Sequence, residues 1–205
     1  MGAARKLALA GGAATVGVAL WWRKNPSACP YSQRFWVEAP HPFITRSRLL
    51  ATLAPAAGER VLEIGPGTGY YTLDVAERLD GGTLDIFDIQ QEMLDHVMRR
   101  AGERGIANVR PCRGDAQALP YESDSFDGAY LVTVLGEIPD QDAALRELAR
   151  VLKPRGRLVV GELFGDPHMV TSGRLRERAA RAGLTFERRA GTPLAFFARF
   201  RAGGA

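Results

Sequence analysis

The chain has 205 residues, 46% hydrophobic and 24% charged, the profile of a globular protein of about one domain, so wholesale disorder and a polytopic membrane protein are excluded. Two cysteines, Cys29 and Cys112, make neither a disulfide framework nor a C-x-x-C pair, and with three histidines no metal site is expected. The formal charge of +4 divides into +6 over residues 1–60, −10 over 61–149 and +8 over 150–205; the acidic middle repels phosphate, so nucleic acid is not expected as a partner.

Leu7 to Trp22 is uncharged, with Arg5 and Lys6 before it and Arg23 and Lys24 after. A helix over these residues would be about 24 Å long, short of the ~30 Å hydrocarbon core, but flanking basic residues and Trp21 and Trp22 suit an interface. The segment reads as a membrane anchor, spanning or interfacial, with the domain facing the cytoplasm; a helix attached to a soluble cytoplasmic protein is the alternative. A cleaved signal is disfavoured, because no small-x-small site follows the apolar run. Residues 1–28 are therefore taken as apolar helix and linker, and residues 29–57 as an arm. Trp36, His41 and Phe43 make the arm aromatic, either packed on the domain or closing over a substrate pocket.

Residues 58–205 form the main domain. Strands are expected at Arg60–Ile64, Gly82–Phe87, Asn108–Cys112, Phe126–Val132 and Arg157–Glu162. Helices are expected at Tyr70–Leu79, Gln91–Ala101 and from Asp140 to Leu152, with Asp140 as N-cap. An Arg-rich helix over Arg174–Ala182 and two strands, Thr185–Arg189 and Leu194–Phe200, complete the chain. Strict alternation means a mainly parallel sheet with helices on both faces, and the last two strands, joined by a turn, are antiparallel.

The strongest chemical signal is VLEIGPGTG over Val61–Gly69, a strand running into a glycine loop before a helix. Glycines let the chain turn sharply and let a ligand approach the backbone. A dinucleotide fingerprint would need glycine at Tyr70, so that pattern fails. Glu63, two residues before the first glycine, suits a ligand bearing an ammonium group. Asp88 ends the second strand, where a carboxylate can accept from both ribose hydroxyls. Asp115, after the third strand, can accept from an exocyclic amine or cap its own turn. Asp127, at the amino end of the fourth strand, reads as structural.

These blocks, with Leu119-Pro120, Ser125-Phe126-Asp127 and Leu152 to Gly156, resemble the class I S-adenosylmethionine-dependent methyltransferases, most closely the small-molecule and quinone-pathway branch. The resemblance implies a seven-stranded Rossmann-like sheet of order 3-2-1-4-5-7-6 with the last strand antiparallel. It also implies S-adenosylmethionine as cofactor. Glu63, Gly65, Gly67, Thr68 and Gly69 would hold its methionine part, Asp88 and Ile89 the ribose, and Gly114, Asp115 and Ala116 the adenine, with Thr133 at the end of the fourth strand.

The stretch after that strand lacks the histidines many relatives of this branch carry there, and the Asn/Asp-Pro-Pro-Tyr/Phe motif of base and amide N-methylases is also missing. The expected reaction is an in-line displacement onto a small, lipophilic acceptor, driven by positioning and exclusion of water. Glu137, Glu162 and His168 are the candidates for a base where the acceptor must lose a proton. The alternative is a catalytically silent cofactor-binding module with a regulatory or scaffolding role at a membrane.

Overall fold

The structure, a computed structural model, describes residues 27–33 and 42–203. The apolar segment Leu7 to Trp22 and the arm residues Trp36 and His41 lie outside the described residues. Among those described, no helix is long and apolar enough to cross a membrane.

Seven strands form one sheet: β1 (Arg60–Ile64), β2 (Thr83–Asp88), β3 (Val109–Arg113), β4 (Phe126–Val132), β5 (Leu152–Leu163), β6 (Leu184–Thr192) and β7 (Ala195–Ala202). Their order is β3-β2-β1-β4-β5-β7-β6, as the resemblance implied. Strands β1 to β5 pair in parallel, and β7 runs antiparallel to both β5 and β6. The helices are α1 (Arg46–Leu53), α2 (Thr72–Arg78), α3 (Gln91–Glu103), α4 (Gln141–Val151) and α5 (Ser172–Arg181).

Strand side chains alternate between two cores. On one face Leu62, Ile64, Ala129 and Leu131 meet Leu145 and Leu148 of α4 and Leu175 of α5. On the other face Val61, Tyr130 and Phe197 meet Leu49 of α1, Leu73 of α2 and Val97 of α3. Helix α4 starts where expected, because the Asp140 carboxylate accepts from Ala143 N (2.9 Å). Strand β5 begins five residues earlier than the apolar pattern indicates. It absorbs Lys153 to Gly156 through Arg155 at φ 64 and pairs Phe126 with Leu152 across a bulge.

The amino ends of the strands are tied by charge. Asp127 accepts from Arg60 N (2.9 Å) and Lys153 Nζ (2.6 Å), the structural role read for it. Arg157, 8% exposed, donates to the Glu59 carboxylate and to Leu53 O, fastening the end of α1 to the sheet.

Candidate functional site

Chain order reverses between β1 and β4, which leaves a crevice beyond their carboxyl ends. The chain leaves β1 through Gly65 (φ 65) and Gly67 (φ 55), left-handed conformations that glycine adopts without strain. A Cβ on Gly65 would lie 2.4 Å from Val134 Cγ2, so the position tolerates no side chain. Across the crevice Thr133 leaves β4 at φ 56, a strained conformation for a β-branched residue. Its amide donates to Gly161 O (2.8 Å) and its hydroxyl to Val132 O (2.7 Å).

Two adjoining cavities fill this crevice. The first, of about 280 Å³, runs from Gly65 and Gly67 over Asp88, Ile89 and Met93 to Gly114, Asp115 and Ala116. The second, of about 410 Å³, lies toward β5 and is walled by Ile44, Tyr70, Tyr71, Leu163 and the loop Gly165–His168, with Glu63 at its inner end. Gly65, Val132, Thr133, Glu137, Ser27 and Cys29 border both.

Residues 27–33 lie across the mouth. Gln90 grips their backbone from one rim, donating to Cys29 O (2.9 Å) and accepting from Tyr31 N (3.1 Å). Glu137 on the opposite rim accepts from Cys29 N (3.3 Å). Of the aromatic arm residues, Phe43 is exposed, and Trp36 and His41 lie outside the described residues.

Glu63, Asp88, Glu137 and Asp166, which line the crevice, hold their protons more tightly than usual, chiefly because burial disfavours the charge. Glu63, 3% exposed, is pushed up to about 7; Thr72, which donates to it at 2.6 Å, and Tyr130 oppose the rise, and Asp88 adds to it. Asp88 rises to about 6 against amides that include Gln90 N, which donates to it at 2.9 Å. Glu137 rises to about 8, with Asp166 and Asp88 adding to burial. Strongly shifted groups converging on one cleft mark a functional site.

The comparisons agree with this geometry. Residues 61–156 match a family model described as a methyltransferase domain. The chain is 37% identical over 116 residues to the ubiquinone/menaquinone biosynthesis C-methyltransferase UbiE of Idiomarina loihiensis, covering 56% of this chain and 46% of that protein. It is 42% identical over 114 residues to the UbiE of Cellvibrio japonicus, covering 54% of this chain and 45% of that protein. The solved structure of a SAM-dependent methyltransferase from Aquifex aeolicus superposes with a TM-score of 0.78 at 18% identity, covering 85% of this chain and 100% of that one, which shows the fold. Residues 61–156 are thus similar in sequence to a methyltransferase domain, and the sheet has the fold of a SAM-dependent methyltransferase. It spans about half the length of the curated relatives it matches.

Within this methyltransferase fold, most residues expected at the cofactor line the first cavity. Thr68 and Gly69 line neither cavity. Thr68 is buried, with Arg100 donating to its carbonyl oxygen, and borders a separate depression with Arg46, Tyr70 and His96. Gly69 faces α3, where a Cβ would stand 3.3 Å from Val97. Asp115 borders the first cavity but spends its carboxylate on Gln117, accepting from N (2.9 Å) and Nε2 (2.7 Å). Of the candidate bases, Glu137 borders both cavities and His168 the second. Glu162 borders neither: burial pushes its carboxyl well above the usual range, and Oε2 accepts from Val170 N (3.1 Å). Gln90, Met93, Ile44 and Asp166 were not anticipated. Gln90 and Met93 could have been suspected, since the chain passes Asp88 straight into α3; Ile44 and Asp166 arrive through the tertiary fold alone.

Proposed function

We propose that this protein transfers a methyl group from S-adenosylmethionine, bound in the first cavity with its sulfonium toward the second, to a small acceptor seated in the second. The observation that carries the reading is the pair of cavities meeting at Thr133 and Glu137. A pocket for cofactor alone needs no second chamber, which favours transfer over a non-catalytic binding role.

The first cavity suits the cofactor. Gly65 and Gly67 let the methionine part lie against bare backbone, with its ammonium reaching past Gly65 toward Glu63 in the adjoining second cavity. Asp88, buried at the end of β2, accepts from the ribose hydroxyls. Ile89, 53% exposed, and Met93 supply apolar walls for adenine beside Gly114 to Ala116. When bound, the cofactor supplies a methyl carbon whose bond to sulfur breaks, leaving the electron pair on sulfur, as the acceptor's lone pair bonds to that carbon. The protein's part is to orient, to exclude water under residues 27–33, and to hold a proton acceptor, Glu137, where the cavities meet. The relatives' names point to a ring-sized acceptor, and the walls Ile44, Tyr70, Tyr71 and Leu163 support a lipophilic body. The uncharged stretch Leu7–Trp22 supports attachment to a membrane that would supply such an acceptor.

Calorimetric titration with S-adenosylhomocysteine should give micromolar to low-millimolar binding, and labelled cofactor should pass its methyl to an acceptor from a cell extract. Binding without transfer to any extract component would support the silent module; no binding at all would remove the function proposed.

A further inference from the structure

The second cavity differs from the first in where its walls come from. The family match ends at residue 156, whereas Ile44, Leu163, Asp166 and His168 lie outside it. Acceptor chemistry therefore has to be read from these residues. The cavity presents three carboxyl groups, Glu63, Glu137 and Asp166, and among the described residues no lysine or arginine lines either cavity. Asp166 is held over Glu137 by packing. A Cβ on Gly136 would come 1.8 Å from His168 O, so the loop carrying Asp166 rests directly on the backbone beside Glu137. Asp166 Oδ1 accepts from His168 N (2.7 Å), which keeps its carboxyl on the cavity side of the loop's turn. Close behind, Glu162 is 1% exposed, and its Oε1 has no partner among the described residues. His168 acts on Asp166, and Arg46 lies outside the cavity over the ring of Tyr70, 4.2 Å from its centroid.

An anion placed here would meet carboxyl groups with no arginine or lysine among the described lining residues to offset them. An organic cation would meet two or three acceptors. Among the described residues no three His, Cys, Asp or Glu side chains are set to hold a metal ion, so a metal does not fill this role.

We propose that the acceptor's polar end is an amine, held as a cation between Glu137 and Asp166 and losing its proton to Glu137 before its lone pair takes the methyl group, with its apolar body against Tyr70, Tyr71 and Ile44. The proposal rests on the methyltransferase reading and adds the substrate class to it.

The test uses three probes with one phenyl body: phenethylamine, 2-phenylethanol and 3-phenylpropanoate, each titrated into the full chain by calorimetry with and without saturating S-adenosylhomocysteine. The amine should bind at least about tenfold more tightly than the alcohol, and the carboxylate should not bind at millimolar concentration. Asp166→Asn and Glu137→Gln, which keep the shape and the acceptor for Cys29 N, should each bring the amine down toward the alcohol. Equal binding of amine and alcohol, binding of the carboxylate, no amine binding at millimolar concentration, or an amine preference that survives in both variants would overturn the proposal. Failure of S-adenosylhomocysteine to bind would instead strike the methyltransferase reading, because probe selectivity is also read without it.

Discussion

Asp88 is the residue on which the cofactor assignment leans most. It ends a strand, is 8% exposed, and keeps a carboxylate oxygen toward a cavity walled by Ile89 and Met93. Its position at the cavity is legible in the sequence because strand length and chain order fix where the carboxyl end of β2 falls. Replacement of Asp88 by Ala should weaken S-adenosylhomocysteine binding by roughly 10- to 100-fold, the value of about 1.5–3 kcal/mol for hydrogen bonds to a charged group. Unchanged affinity in the calorimeter would remove the ribose role. Gly65→Ala should be at least as damaging, since the new methyl group meets Val134 and the backbone is left-handed. A soluble, folded Gly65→Ala protein with native cofactor affinity would show that no ligand approaches that backbone. Thr68 was misplaced by the same sequence logic. Within the glycine loop Thr68 is buried, and its carbonyl oxygen accepts from Arg100 of α3, a partner 32 positions away that no local pattern announces.

At the scale of elements, what matters is how loops from different strands are brought together. The turn Leu135–Glu137 and the loop Gly165–His168 follow β4 and β5, and Gly136 lets them touch. Nothing local in the sequence announces this contact, because it is made between two loops some thirty residues apart. Gly136→Ala should push the second loop off Glu137, destabilise the fold by about 1–3 kcal/mol and lower methyl transfer far more than cofactor affinity. Equal losses in both would mean that the two cavities are one site for cofactor. On the opposite end of the sheet, Arg157→Met should cost about 3–5 kcal/mol in chemical denaturation, since it strands the Glu59 carboxylate and frees the end of α1. A loss below about 1 kcal/mol would show that α1 is held by its apolar face alone.

Considered whole, the molecule is a familiar sheet with an unusually acidic crevice. The sheet order was readable because alternation, element length and the terminal hairpin leave few topologies open. The crevice charge was foreshadowed by the −10 balance of residues 61–149, but the burial that shifts these groups is a property of the folded state. Glu63, Asp88 and Glu137 are raised to about 7, 6 and 8 by burial, whereas in the unfolded chain they titrate near the ordinary carboxylate range of about 4. The folded protein thus binds more protons between these limits, and stability is full at about pH 4.5 and is lost as pH rises toward 8. Without cofactor the melting temperature should fall by roughly 5 °C or more between pH 5 and 8, and Glu137→Gln should flatten that fall. A melting temperature that rises over this range would contradict the buried placement of the three groups. A bound cation should offset part of the loss, so S-adenosylhomocysteine, which lacks the sulfonium charge, should stabilise less at pH 8 than S-adenosylmethionine at equal saturation.

Cofactor in the first cavity, with its sulfur facing an acceptor chamber in the second, is tested most directly by a crystal structure of the protein with S-adenosylhomocysteine. The ribose hydroxyls should lie within about 2.6–3.2 Å of the Asp88 carboxylate, with adenine between Ile89 and Ala116 and the sulfur beside Thr133, facing Glu137. Adenosine bound outside the first cavity, or a sulfur turned away from the second, would contradict the account.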